Sequence, residues 1–180
     1  LFPLYRQYGP RFAQELRRMV VAMGGLRVSL SVPAKSFFQQ HHAQLLRDVV
    51  DVFIVMTYDY GVHFGGTANA PMHHIRQAMD YIGADGPQFA VGINFYGYAF
   101  EEGQQAVVVD RKNLKEMLDG AGKARWNDDE KEHTFAGKRG VVNYPTPLSI
   151  DERVQYAKTH DFSLAIWELG QGLDIFMELL

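Results

Sequence analysis

Three short stretches of the 180-residue chain gather side chains able to bind a ligand or do chemistry. They are Met56-Thr57-Tyr58-Asp59-Tyr60-Gly61, Asn94-Phe95-Tyr96-Gly97-Tyr98 and Trp167-Glu168-Leu169-Gly170-Gln171-Gly172. Each follows an apolar run. Together they supply aromatic rings, amides and two carboxylates, and no lysine or arginine. Aromatic rings stack on the C–H faces of a pyranose while carboxylates and amides bond to its hydroxyls, so this mix suits a neutral saccharide. A phosphate would call for basic side chains or glycine-rich amides at a helix N-terminus. The candidate contacts are Tyr58, Asp59, Asn94, Tyr96, Trp167 and Glu168, with Gln171 in support.

Those stretches converge only if the apolar runs before them are neighbouring parallel strands. Val52–Met56 is continuously apolar, the pattern of a strand buried on both faces. Residues 89–95 and Ser163–Trp167 read as further strands, and 26–32 alternates at period two before Pro33. Between them lie helical patterns. Phe12, Leu16, Met19, Val20 and Met23 define one face, with Pro10 near the start and Gly24-Gly25 as the stop. A second helix, 37–50, begins at Phe37 and carries Phe38, Leu45, Leu46 and Val49. After a loop with Gly61, Gly65 and Gly66, Asn69 is the expected N-cap of a helix with Met72, Ile75, Met79 and Ile82 on one side.

Alternation of helix and strand predicts parallel βαβ units. The last connection is longer. Within it, 132–136 and 139–144 flank Gly137-Lys138 as a hairpin, and Ser149-x-x-Glu152 reads as a capping box opening the next helix. The acidic run 128–132 reads as a solvated loop, and 173–180 as the start of a helix.

Four parallel strands fit an open doubly wound sheet or half of a (β/α)8 barrel, with ligands at the carboxyl ends of the strands in both. A helix first, a helix cut short last and no initiator methionine favour the half barrel. The expected fold is therefore α/β: a partial (β/α)8 TIM barrel, strands 5–8 with their helices, with a small β-hairpin excursion before the last strand. Residues 1–180 form the C-terminal half of the barrel, and 103–147 the excursion.

Composition removes several alternatives. The chain is 47% hydrophobic and 22% charged, too apolar for disorder. No apolar run approaches the ~20 residues of a membrane span. A net charge of −3 without a basic stripe argues against nucleic acid. With no cysteine, there is no disulfide framework, Cys-ligated zinc or thiol nucleophile. The pairs His41-His42 and His73-His74 lack metal-ligand spacing, so neither metal nor cofactor is expected.

Met56-x-Tyr58-Asp59, Asn94-Phe95-Tyr96-Gly97, Val142-Asn143-Tyr144 and Trp167, in that order, resemble family 18 glycoside hydrolases, the chitinase-like family. Asn69-Ala70-Pro71 and the run 166–174 are similar to its lectin-like, saccharide-binding branch. The resemblance covers nearly the whole chain, from the family barrel's fourth helix to its eighth. It implies that Tyr58 and Asp59 contact the sugar and its N-acetyl group, that Trp167 is the floor under the ring, and that Met56 lines the wall. It also implies an oligosaccharide ligand, a receptor protein as a further partner, and a secreted or lysosomal setting.

The family hydrolyses by a substrate-assisted route in which the N-acetyl oxygen attacks and a glutamic acid protonates the leaving oxygen. That acid belongs to Asp-x-x-Asp-x-Asp-x-Glu on the fourth strand, placed ahead of Leu1. Asp48-x-x-Asp51 matches only its first two acids, so no catalytic residue is assigned in this chain. The expected function is binding of chitin-type, N-acetylglucosamine-containing saccharide by a non-catalytic barrel. A hydrolase with its acid upstream and a protein-interaction scaffold are the alternatives. As half a barrel, the isolated chain would expose unpaired strand edges and be marginal or aggregating. Thermal melting of the monomer checks this: a sharp, reversible transition would contradict it.

Overall fold

The computed structural model of the chain describes residues 2–35, 38–64, 67–137 and 140–180, with side chains from Pro10 onward. Phe37, Gly65, Gly66, Lys138 and Arg139 of the sequence reading lie outside the described residues. A long helix α1 (Phe2–Ala22) leads into β1 (Ser29–Pro33), α2 (Gln40–Leu46), β2 (Val52–Met56), α3 (Tyr60–Phe64), α4 (Met72–Ile82) and β3 (Phe89–Asn94). Then come β4 (Gly97–Phe100), β5 (Val107–Val109), α5 (Leu114–Leu118), β6 (Arg125–Asn127), β7 (Glu132–Gly137) and β8 (Gly140–Asn143). Helix α6 (Pro147–Thr159) and strand β9 (Ser163–Trp167) are followed by 3-10 segments at Leu169–Gln171 and Asp174–Leu179.

The fold is mixed α/β with two sheets. The first is wholly parallel, in the order β1-β2-β3-β9. The second is antiparallel, in the order β5-β4-β8-β7-β6. β3 runs into β4 through Phe95 and Tyr96 alone, so the second sheet grows directly from the carboxyl end of the first. Close approach holds the junction: a Cβ on Gly97 would lie 1.8 Å from the Asn143 carbonyl oxygen, which only glycine avoids.

Burial follows the apolar periodicity. Phe53 and Val55 of β2 and Phe89 and Val91 of β3 pack with Ile75, Met79 and Ile82 of α4 and Leu46 of α2. A second cluster joins Ile93 and Phe95 to Val142, Tyr144, Ile150, Val154 and Phe176, tying both sheets to α6. Among the described residues no helix is long and apolar enough to cross a membrane.

Several expectations change. Pro10 lies inside α1, not at its start, and Phe12, Met19 and Met23 are exposed while Ala13 is buried. Helix α2 is only seven residues long; Phe38 and Val49 are buried outside it, and Leu45 is exposed. Strand β2 alternates buried with half-buried residues, so one face is covered more fully than the other. Gly61, expected in a loop, lies in the short helix α3, and helix α4 takes Pro71, not Asn69, at its N-cap. Helix α6 starts earlier than Ser149 implied, capped by Thr146 with Pro147 in the first turn. The stretch expected as a terminal helix is 3-10. The expected hairpin is β7–β8, set in a sheet of five strands because β4, β5 and β6 are too short for periodicity to announce.

The acidic run 128–132 is not uniformly solvated. Glu132 is buried and joins a buried polar hub with Arg153 of α6 at 3.1 Å. The Glu132 carboxylate accepts from the Asn69 and Ala70 backbone N–H groups and from Asn143 Nδ2, each at 2.8 Å. Arg153 donates to the carbonyls of Ala70, Lys131 and Ser149, each at 2.7 Å. Burial pulls the Arg153 guanidinium below its ordinary pKa, and the neighbouring glutamates counter that pull. The exposed pairs Arg17–Asp48 and Arg47–Asp85 are worth little by comparison.

Removing one partner of the hub strands a buried charge, which costs about 3–5 kcal/mol. Urea unfolding of Glu132→Ala should show that loss. In the Glu132→Ala, Arg153→Met double variant the loss should be smaller than the two single losses added together. Simple addition would show that the two residues act independently.

His74 gives a pH dependence. Burial, then Lys35 and His73, hold its pKa down from 6.5 to about 4. As pH falls through that window the unfolded chain takes up a proton that the folded chain refuses, so stability is lost toward acid. The loss is about 3 kcal/mol at most. The urea midpoint should fall across this range in the native chain and fall less in His74→Gln; equal slopes would exclude His74 as the cause.

Candidate functional site

The carboxyl end of β2 turns sharply where its chemistry lies. Thr57 is buried and its hydroxyl donates to the Gly92 carbonyl at 2.7 Å, fixing the strand end against β3. A Cβ on Gly92 would meet the Val55 carbonyl oxygen at 2.5 Å and the Tyr58 ring at 3.0 Å; glycine there lets the ring lie against the sheet. Asp59 then adopts a left-handed conformation, φ 66°. Aspartate tolerates such backbone better than most side chains, and Lys131 and Asp161 adopt it as well. Its N–H donates to Asn69 Oδ1 at 2.7 Å, which holds the turn.

Two tyrosines then converge on the Asp59 carboxylate. The Tyr98 hydroxyl donates to Oδ1 at 2.8 Å, and the Tyr96 hydroxyl donates to the same oxygen. The Tyr96 carbonyl accepts from Asn94 Nδ2 at 2.8 Å and from Asn69 Nδ2 at 3.1 Å. Asn69 thus grips both Asp59 and Tyr96, and is itself held by Glu132.

Burial, reinforced by Asp59, pushes Tyr58 up to about 12 and raises Tyr96 and Tyr98 well above the ordinary tyrosine value. All three hydroxyls therefore stay protonated near neutral pH, and two of them act as fixed donors to Asp59. Burial also lifts Tyr144 to about 12, and its hydroxyl donates to the Gln171 carbonyl at 3.0 Å.

A pocket of about 290 Å³ opens beside this group, with Met56, Tyr58 and Asp59 on its wall together with Lys35, Phe64 and His74. Of the predicted residues, Met56, Tyr58, Asp59 and Tyr96 are brought together. Asn94 is buried and spends its amide on the Tyr96 backbone. Trp167 sits in register with Asn94 at the same end of the sheet and is 59% exposed in this chain. Glu168 and Gln171 follow it, outside the Asp59 pocket. Among the described residues no hydrogen bond joins Glu168 to Asp59, and no group of three or more acidic or histidine side chains could hold a metal.

Other participants lie outside the predicted set, among them Phe64 and His74 on the pocket wall. Tyr98 was legible, because residues 96 and 98 share a face of an extended segment. Asn69, whose position before a helix suggests a cap, bonds Asp59 and Tyr96 instead. Lys35 follows Pro33-Ala34 at the end of β1 and corrects the expectation that no basic side chain reaches this site. Glu132 and Arg153 pair across sequence, with no local signal.

Residues 6–172 match the glycosyl hydrolases family 18. Solved structures share the fold. A chitinase from Chromobacterium violaceum is 20% identical, with TM-score 0.80 over 97% of this chain and 60% of that one. The Bacillus cereus spore cortex-lytic enzyme SleL is 19% identical, with TM-score 0.79 over 96% of this chain and 45% of that one. A Cycas revoluta chitinase, solved in complex with (GlcNAc)3, is 16% identical, with TM-score 0.76 over 98% of this chain and 63% of that one. The chain therefore spans less than two thirds of these relatives' length. With the match running through both sheets and the Asp59 cluster, the chain belongs to glycoside hydrolase family 18.

Proposed function

We propose that this chain supplies part of a saccharide cleft for N-acetylglucosamine-type oligosaccharides, and that its four parallel strands are the fifth to eighth of a (β/α)8 barrel. The observation that carries the reading is the Asp59 carboxylate, fixed by two tyrosine hydroxyls on the wall of a pocket at the strands' carboxyl ends. Both hydroxyls land on Oδ1, which leaves Oδ2 for a ligand N–H such as that of an N-acetyl group. Tyr58 offers a protonated hydroxyl beside it, and Met56 an apolar wall. The exposed indole of Trp167 provides a stacking floor for a pyranose. Glu168, exposed beyond Trp167, fits a hydrogen-bonding position on the rim, and Gln171 supports it from below with a buried amide oxygen.

The motifs are similar to those of chitinase domain-containing protein 1, a lectin-like, saccharide-binding member of the family, which supports binding without turnover. The second reading is substrate-assisted hydrolysis in the whole protein, with Asp59 orienting the N-acetyl group and the acid supplied from outside this chain. It is favoured by the chitinases among the structural relatives. A secreted or lysosomal setting is part of the same proposal.

Calorimetric titration of (GlcNAc)3 into the complete protein tests the reading. Trp167→Ala should weaken binding about tenfold, the worth of one aromatic contact. Asp59→Ala should weaken it at least as much, since a charge-assisted hydrogen bond is lost. Unchanged affinity in both variants would remove the cleft from the account. Release of shorter sugars from (GlcNAc)4 would decide for hydrolysis over binding alone.

A further inference from the structure

One side of the Asp59 pocket is cationic. Lys35 lies two residues past the end of β1, and its ammonium donates to the Gln77 side-chain oxygen on α4. That partner is a neutral amide. Among the described residues no carboxylate forms an ion pair with Lys35, and its remaining N–H groups are left for a ligand. Asp59 lines the same pocket, but its Oδ1 is already engaged by Tyr96 and Tyr98.

His74 supplies a second, independent sign. It lines the pocket, is 1% exposed, and its Nδ1 has no hydrogen-bond partner among the described residues. Buried ring nitrogens without partners are unusual in folded proteins. The ring is neutral near pH 7, so it adds hydrogen-bonding capacity rather than charge. Around these groups Phe64 and Met56 make the wall apolar, which strengthens the field of a single ammonium.

One ammonium with the imidazoles of His74 and His63, which also lines the pocket, suits a monoanion. A phosphate would ask for more donors: a guanidinium or a run of free backbone amides. The chain is net negative, so this positive wall is a local feature and not a consequence of overall charge.

We propose that the pocket takes the carboxylate of an acidic N-acetylated saccharide, with the N-acetyl sugar at Asp59 and Tyr58 and the acid group against Lys35. The assignment deepens the saccharide reading above and rests on it. The carboxylate can sit on an ether side arm of the amino sugar or on the ring of a neighbouring uronic acid; the recognising chemistry is the same.

Three disaccharides, titrated into the complete protein at low and high salt, test it. They are neutral di-N-acetylchitobiose, N-acetylglucosaminyl-N-acetylmuramic acid with its ether-linked carboxylate, and glucuronosyl-N-acetylglucosamine with its ring carboxylate. At low salt at least one acidic sugar should bind about tenfold tighter than the neutral one, as a charge-assisted hydrogen bond would give. The preferred acid identifies the source of the carboxylate. High salt and Lys35→Gln should abolish the preference, and Lys35→Arg should keep it. Equal affinities for all three, unaffected by Lys35→Gln, would overturn the acidic-sugar assignment and leave the cleft standing. No binding of any of the three would overturn both.

Discussion

A buried carboxylate, Glu132, ties the antiparallel sheet of this protein to α6 and to the loop before α4, whose Asn69 holds Asp59 just past the end of β2. It sits at the start of β7 in the antiparallel sheet, yet two of its acceptor positions are spent on backbone N–H groups of the loop before α4. Taking such a charge out of water is costly unless partners replace the lost hydration. Arg153 supplies a counter-charge, Asn143 a further donor, and the loop amides the rest. Arg153 in turn donates to the carbonyls of Ala70, Lys131 and Ser149, which joins the loop before α4 and the turn before β7 to α6. Satisfaction of this one group therefore requires α4, α6 and β7–β8 to be in place together.

The geometry of the site follows from that requirement. Glu132 holds Asn69 by its backbone, which leaves the Asn69 side chain to receive the Asp59 N–H and to grip the Tyr96 carbonyl. Asp59 is thereby kept in a left-handed turn that aims its carboxylate at Tyr96 and Tyr98. The parallel sheet contributes Tyr58 and Asp59, while Tyr98 comes from the first strand of the antiparallel sheet. The second sheet is thus part of the site as well as a packing partner. Rigid support of this kind sets a polar group before the ligand arrives, so less ordering is left to be done on binding.

Long, strongly patterned features were legible in the sequence. Val52–Met56 and Ser163–Trp167 are strands with the expected bounds, and Met72, Ile75, Met79 and Ile82 form the buried side of α4. Tyr58, Asp59 and Tyr96 meet because strand ends in a parallel sheet must fall on one side. Features governed by distant partners were not legible. Phe12 and Met19 share a helix face with Leu16, but nothing local indicates which part of that face is covered. Asn69 precedes a helix and has a capping side chain, and tertiary demand from Asp59 and Glu132 gives it another task. Glu132 sits among acids that are exposed, and only the fold reveals its burial. Strands of three or four residues, such as β4 to β6, are too brief to show a period.

If the hub positions Asp59 through Asn69, disturbing it should be felt at Asp59 before the sheet itself loosens. The direct measurement is amide hydrogen exchange at Asp59, compared between the native chain and Glu132→Gln by NMR. The Asp59 amide should exchange at least about tenfold faster in the variant, the effect of losing roughly 1.4 kcal/mol of local protection, while the amides inside β2 stay slow. An Asp59 amide that is unchanged, or that speeds up only in step with β2, would contradict the account.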